Sequence, residues 1–211
     1  MIAVLDACIL YPPALRDLFM WLAVTRTYEA RWSEEIHAEW IRNVLKDRSD
    51  VTAAQMERAR RLMDQIDPKS LVNGYQEITP TLTLPDADDR HVLAAAIQTG
   101  AAVIVTFNLS DFPRRALAEY GIRPLSPDAF LEALLDQQQA RFLLGMQKHR
   151  QSLKNPPKTV DEYLTTLRNQ GLNRLAGRLD AHRAEIRDGK GGKSGEIGKW
   201  AGGSAPSLAL T

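Results

Sequence analysis

The chain has 211 residues, of which 44% are hydrophobic, so it can bury one good core and carry a small appendage. Its longest apolar runs, 18–24 and 101–107, are far shorter than the roughly 20 residues of a membrane-spanning helix, and Asp6 interrupts the apolar N-terminus, so we expect neither a membrane span nor a signal peptide. The single cysteine, Cys8, excludes an intrachain disulfide and suits a cytoplasmic protein in a reducing environment.

The net charge of +1 hides an uneven distribution of charge along the chain. Residues 1–136 carry 14 basic and 20 acidic side chains, a net charge of −6, whereas residues 137–211 carry 13 and 6, a net charge of +7. An acidic body can hold cations, and a basic extension can meet phosphates or an acidic partner. On charge alone, it is an equally good interpretation that the basic residues only solvate helices.

The N-terminal half begins with a short predicted strand. Residues 2–5, IAVL, are apolar and β-prone, which predicts a central strand of a parallel sheet with Asp6 at its carboxyl end. A helix is expected from about Ala14, and a second helix is expected after Ser33, which can act as its N-cap. The remaining predicted elements of this half are a helix over about 52–66 and weak strands at 71–72 and 81–84.

The segment LPDADDRHVLAAAIQTGAAVIVTFNLSDF, residues 84–112, is the most informative stretch of the chain. Asp88 or Asp89 can cap a helix that Gly100 ends. The following run, 101–107, is apolar except for Thr106, which is typical of a parallel strand covered by helices on both faces. Polar residues then appear just past the carboxyl end of this strand, where open α/β sheets place their sites.

The C-terminal half is predicted to be mainly helical. Its predicted elements are a short helix at 112–120, a strand at 122–125, a long helix capped by Ser126, helices at 160–170 and 172–186, and a flexible Gly/Ser/Lys-rich tail at 188–211. The order of elements predicts a three-layer α/β/α sandwich with a mainly parallel sheet, followed by a helical extension. We therefore divide the chain into a domain at 1–136, an extension at 137–187 and the tail.

Acidic residues from separate parts of the sequence are the main candidates for chemistry. Strand-end acids converge at the carboxyl edge of a sheet, and several close carboxylates cannot all stay ionised without a cation. Oxygen ligands of this kind suit Mg²⁺ or Mn²⁺, and such a cluster typically activates water in phosphodiester hydrolysis. The candidates are Asp6, Glu39, Asp86, Asp89 and Asp111.

Three alternatives remain open from the residues alone. Each acid taken singly is also explained as a turn residue, a helix cap or a solvated helix residue. A phosphatase with Asp6 as nucleophile is disfavoured, because phosphatases of the haloacid-dehalogenase type need a second Asp where this chain has Cys8. A catalytically silent protein-binding module is the third possibility.

Four segments resemble the acidic motifs of the PIN-domain family, in the branch of the VapC-like ribonuclease toxins. They are IAVLDACIL, SEEIHAEWIRNVL, LPDADDRHVLAAAI and VIVTFNLSDFP, and they occur in the family's order over roughly residues 1–135. The resemblance implies an α/β/α sandwich and a Mg²⁺- or Mn²⁺-dependent endoribonuclease. It also implies a homodimer that is the toxin of a type II toxin–antitoxin pair, neutralised by an antitoxin whose tail enters the acidic groove.

The resemblance also implies roles for single residues. The family's four acids fall on Asp6, Glu39, Asp89 and Asp111, which are then the catalytic and metal-binding residues. Its accessory positions fall on Asp86 and Asn108, and Thr106 is expected to orient Asp6 or a water. The family often has Asn where this chain has Cys8, so the order of the loop near Asp6 is in question.

Other residue types point less clearly to function. His91 is within one turn of Asp89, but we interpret it as a surface or helix-stabilising histidine. His37 and Glu39 lie on different sides of one helix, which argues against a zinc pair. In the basic tail, Trp200 is the tryptophan that we consider for base stacking.

Overall fold

Five short strands form one parallel sheet in the computed structural model, which describes residues 1–187. The strands are β1 (Ile2–Leu5), β2 (Glu29–Ser33), β3 (Leu71–Val72), β4 (Val103–Val105) and β5 (Arg123–Leu125). Their order across the sheet is β3-β2-β1-β4-β5, and every pairing is parallel. The predicted central position of β1 is confirmed, so its carboxyl end lies beside that of β4.

Helices flank this sheet and continue into the C-terminal region. They are α1 (Ala7–Leu10), α2 (Pro13–Val24), α3 (Glu34–Asp47), α4 (Ala53–Asp64), α5 (Arg90–Thr99), α6 (Arg114–Leu117), α7 (Pro127–Gln137), α8 (Gln139–Ser152), α9 (Val160–Asn169), α10 (Asn173–Leu179) and α11 (Arg183–Arg187). Short 3₁₀ turns lie at Thr79–Thr81, Ala118–Tyr120 and Asp180–His182. The predicted α/β/α sandwich with a helical extension is confirmed. Within residues 1–187, no helix is long and apolar enough to span a bilayer.

Local sequence signals place several helix ends correctly. The Ser33 hydroxyl accepts a hydrogen bond from Ile36 N at 3.2 Å, and Ser126 caps α7 in the same way. Gly100 ends α5 with a φ of 61°, in the left-handed region that glycine adopts without strain. Asp89 stands at the N-cap position of α5, but its side chain makes no capping hydrogen bond. The capping interpretation of this residue is therefore wrong, and its carboxylate is not used by the helix.

The structure differs from the predicted elements at several places, one of which is the helix expected at 172–186, where α10 and α11 are separated by the 3₁₀ turn at Asp180–His182. Strand β2 was missed because its sequence, EARWS, is short and polar. Its Arg31 is nevertheless buried, and the guanidinium is satisfied by Glu29 and by the Ala30 carbonyl. The strand expected at 81–84 is not formed, since Pro80 lies in a 3₁₀ turn just before it. The long helix after Ser126 is two helices, which are separated at Gln138.

The helical extension shares one hydrophobic core with the sheet domain. Buried side chains of α8 to α11, such as Phe142, Met146 and Ile186, belong to the same cluster as the residues of β1 and β4. Gly145 of α8 lies so close to α2 that a Cβ there would be 2.8 Å from the Leu22 Cδ2 atom. The division at residue 136 remains a prediction, and the predicted flexible tail, with Trp200, lies outside the described residues.

Candidate functional site

Asp6 lies at the carboxyl end of β1 and is almost fully buried, with 3% of its surface exposed. Its backbone N–H donates to the Val105 carbonyl at 3.1 Å, which holds it beside the end of β4. The Thr106 hydroxyl donates to Asp6 Oδ2 at 2.6 Å, and the Cys8 thiol donates to the same oxygen at 3.1 Å. Burial raises the pKa of Asp6, the nearby charge of Glu39 adds to this, and the two hydrogen bonds oppose it.

Thr106 and Cys8 connect the two loops that follow β1 and β4. The Thr106 hydroxyl accepts a hydrogen bond from Asn108 N at 2.9 Å while it donates to Asp6. The Cys8 sulfur accepts from Phe107 N at 3.3 Å. Burial, with the charge of Asp6, raises the pKa of the Cys8 thiol to about 12, so the thiol stays protonated as a donor. The sequence left the order of the loop near Asp6 in question, because Cys8 replaces the usual Asn. In the structure the Cys8 sulfur itself orders this loop, by donating to Asp6 and accepting from Phe107 N.

Asp89 interacts electrostatically with the other acidic side chains of this region. Its pKa is raised from 3.8 to about 7, first by desolvation and then by the negative charges of its neighbours. Those neighbours are Asp6, Asp86, Asp111 and Glu39. Carboxylates raise one another's pKa in this way only when they lie close together. The four other acids that the sequence singled out therefore lie near enough to Asp89 to interact with it electrostatically.

The loop after β4 supplies the last of these acids. Asp111 N donates to the Asn108 carbonyl at 3.1 Å, which closes a turn, and the Ser110 hydroxyl donates to Asp111 Oδ1 at 3.3 Å. Asp111 is partly exposed and Asn108 is exposed. On the other side, the Asp86 carboxylate accepts a hydrogen bond from Asp88 N at 2.9 Å, which orders the loop before α5.

His91 contacts this acidic group, and the prediction that it lies on the surface is wrong. It is 9% exposed, its Nε2 is 3.7 Å from Glu39 Oε2, and its Nδ1 is 3.9 Å from Glu35 Oε2. Glu39 itself is partly exposed, as its place at the border of the buried helix face predicts. The available signal for His91 was its position in the first turn of α5, two residues after Asp89.

His37 has a structural role on the other side of α3. Trp40 Nε1 donates to His37 Nδ1 at 3.0 Å, so the ring proton is on Nε2 and is donated to Asp64 at 3.0 Å. Asp64 also accepts from Trp32 Nε1 at 2.8 Å. Burial lowers the pKa of His37, which keeps the ring neutral. This network fixes α3 on the sheet and so holds Glu39 at its edge.

Comparison with known proteins identifies the family. Residues 3–110 match the PIN domain, which is about half of the chain and includes three of the four predicted acids. The chain belongs to the PIN-domain family. Residues 127–181 of this PIN protein also match the VapC50 C-terminal domain, so it is VapC-like and carries a C-terminal extension.

One relative and the solved structures complete this comparison. Over 63 residues, the PIN protein is 48% identical to the "Putative ribonuclease VapC50" of Mycobacterium tuberculosis (strain ATCC 25618 / H37Rv). The alignment covers 30% of this chain and 37% of that protein, so it spans little more than a third of the relative's length. No solved structure matches the chain.

The donor set of the PIN domain suits a hard divalent cation by its chemistry. All the acids around Asp89 offer carboxylate oxygens, and their negative charges add to desolvation in raising the pKa of Asp89 to about 7. Within residues 1–187, no three His, Cys, Asp or Glu side chains are already positioned as a ready group of metal ligands. These residues therefore fit a divalent cation in the type of their ligand atoms and in their charge. Their roles as metal ligands stay a prediction.

Proposed function

We propose that this protein is a Mg²⁺- or Mn²⁺-dependent endoribonuclease that hydrolyses RNA phosphodiester bonds. The observation that carries the proposal is the buried carboxylate of Asp6 at the carboxyl end of β1, which Thr106 holds from the end of the paired strand β4. Other carboxylates lie near enough to Asp89 to raise its pKa, which adds negative charge to this region. Unbalanced negative charge at the carboxyl edge of a parallel sheet favours a cation, and a cation there attracts phosphate. The PIN-domain membership supports the same reading.

The proposed ligands are Asp6, Glu39, Asp89 and Asp111, with Asp86 and Asn108 as accessory groups. When bound, the cation would neutralise phosphoryl charge and make an attacking water more acidic. Thr106 and Cys8 both donate to Asp6 Oδ2, and these two hydrogen bonds would hold the carboxylate in place for the cation. Asp6 is buried, whereas Asp111 is partly exposed and Asp86 is exposed, so the RNA would approach from the side of these two acids.

We further propose that the protein is the toxin of a type II toxin–antitoxin pair. The support is its VapC-like sequence and its similarity to the "Putative ribonuclease VapC50". The partners are then an RNA substrate and a cognate antitoxin whose tail would enter the acidic groove. The homodimer that the family resemblance implies stays a prediction, which light scattering after size-exclusion chromatography would test.

Matched Asp-to-Asn variants test the nuclease proposal. Asp6→Asn and Asp89→Asn should each abolish cleavage of a labelled single-stranded RNA in Mn²⁺, while circular dichroism shows an intact fold. Asp88→Asn is the control, since Asp88 is exposed, adjacent to Asp89, and not one of the residues that raise its pKa. Cleavage that persists in both site variants would refute the assigned site.

Calorimetry separates the nuclease from a protein-binding module. The nuclease should bind Mn²⁺, and binding should weaken in Asp89→Asn but not in Asp88→Asn. Absence of Mn²⁺ binding at millimolar concentration, together with absence of cleavage, would favour a module without turnover. A phospho-aspartate trapped at Asp6 would instead support the phosphatase.

A further inference from the structure

A large aromatic side chain is exposed at the edge of the acidic site. Phe107 lies between Thr106 and Asn108 in the loop after β4, and 45% of its surface is exposed. Phe112, five residues further along the same loop, is by contrast fully buried. The exposed face of the Phe107 ring is therefore available to a flat ligand at the acidic site.

Phe107 is held through its backbone at the acidic site, and its ring lies near the C-terminal extension. Its backbone N–H donates to the Cys8 sulfur, and Cys8 also contacts Asp6, so the residue is tied to the acidic site itself. Its ring is near the extension at Gly171, where an added Cβ would be 3.9 Å from the Phe107 Cε1 atom, an ordinary van der Waals distance. Gly171 has a φ of 80° in the turn between α9 and α10. One edge of the ring is therefore next to the extension.

The surroundings of Phe107 favour a nucleic acid as its ligand. Arg114 and Arg115 follow Asp111 by three and four residues, are exposed, and make no ion pair within residues 1–187. Free guanidinium groups bind phosphates, and an exposed aromatic ring stacks on an unpaired base. In a double helix the bases are already stacked on one another, so the ring can serve only a single-stranded segment.

We propose that Phe107, supported by the Gly171 turn of the extension, is a base-stacking platform that selects single-stranded RNA at the acidic site. This inference rests on the proposed nuclease function, and it names the form of RNA which that site takes. It also gives the extension a defined task, which is to hold the ring beside the acids.

Binding of a short unstructured RNA tests the platform directly. The parent is the full chain with Asp6→Asn, which prevents cleavage, and the RNA carries 2-aminopurine so that stacking quenches its fluorescence. Phe107→Ala should weaken binding about 5- to 100-fold and remove the quenching, whereas Phe107→Tyr and Phe107→Trp should restore both. Leu109→Ala, which removes the other exposed apolar side chain of this loop, is the control and should change affinity less than about threefold.

A glycine pair tests the contribution of the extension. Gly171→Ala and Gly121→Ala impose similar backbone strain, since both positions have positive φ angles, of 80° and 68°. Gly121 precedes β5 at the amino edge of the parallel sheet, whereas the acidic site is at the carboxyl edge. Nothing lies within 4 Å of a Cβ added at Gly121. We expect only Gly171→Ala to weaken RNA binding and reduce the quenching.

The outcomes distinguish failure of the platform from failure of the proposed function. If the parent binds RNA but Phe107→Ala binds it equally well, the platform is wrong and the nuclease proposal stands. A loss of affinity that Tyr and Trp do not restore would also overturn the platform, because it would indicate a packing defect or a protein-binding residue. If the wild-type chain cleaves no RNA and the parent binds none, both the nuclease proposal and the platform proposal are wrong.

Discussion

The pKa of Asp89 leads to a stability effect that depends on pH. In the metal-free protein, burial and four neighbouring carboxylates raise this pKa from 3.8 to about 7. Since each tenfold change in proton affinity corresponds to about 1.4 kcal/mol, a fully buried carboxyl with this pKa would cost the fold about 4 kcal/mol on ionising. Asp89 is partly exposed, and solvent screening reduces the expected cost to about 2 kcal/mol.

The direction of the effect follows from the raised pKa. Because the folded state holds the proton more tightly than the unfolded state, Asp89 contributes stability below about pH 4, and this contribution is lost as the pH rises through about 7. Asp89→Asn keeps the size of the side chain and removes its charge. In EDTA near pH 8, we expect this variant to be more stable than the wild type by about 2 kcal/mol, with a Tm about 4–8 °C higher.

Thermal unfolding followed by circular dichroism measures this difference. The Tm values of variant and wild type should converge as the pH falls below the unfolded-state pKa of 3.8, where Asp89 becomes protonated in both states. The control, Asp88→Asn, should change little at either pH, and Mn²⁺ should stabilise the wild type more than Asp89→Asn. Equal Tm values for Asp89→Asn and wild type near pH 8, or an equal gain in Asp88→Asn, would refute the electrostatic coupling.

Four further substitutions test the support of the site and the packing of the extension. Thr106→Val removes a 2.6 Å hydrogen bond that lowers the pKa of Asp6, so this pKa should rise. The affinity for Mn²⁺, measured by calorimetry, should fall about tenfold. Unchanged affinity would contradict the role of Thr106 in orienting Asp6. Asp64→Ala leaves two buried donors, including His37 Nε2, without an acceptor, and should cost about 2–4 kcal/mol in urea unfolding. A loss below about 0.5 kcal/mol would argue against that network. Gly145→Ala should destabilise by about 1–3 kcal/mol because its Cβ meets α2, whereas Gly177→Ala, with nothing within 4 Å, should stabilise by about 0.5–1 kcal/mol. Equal effects of the two glycine variants would contradict the close contact between α8 and α2.

The shared core also limits how the extension can be studied. Phe142 and Met146 of α8 are fully buried in the cluster that includes the sheet residues. Removing residues 137–187 would expose that cluster, so loss of activity in such a truncation would not distinguish RNA binding from unfolding. Point variants at Gly171 and Phe107 avoid this difficulty.

Local patterns were enough to predict most of the fold and the position of two candidate acids at strand ends. Apolar runs that end in polar residues place Asp6 and Asp111 after strands, and Ser33 and Gly100 mark helix ends by their own conformational preferences. These signals act over a few residues, so they can be recognised without knowledge of the tertiary structure. The same reasoning failed at β2, because pairing with β1 forms that strand despite the weak β-propensity of its sequence.

The sequence by itself determined the order of the elements, the parallel sheet and the acids available at its carboxyl edge. Only the tertiary structure decided how those acids are held and what surrounds them. Thr106 bonds to an acid 100 positions away, Phe107 to a cysteine 99 positions away, and His91 approaches Glu39 from another helix. Such contacts depend on the packing of distant segments, for which no short pattern exists, and they are the contacts that set the proton affinities and the shape of the site.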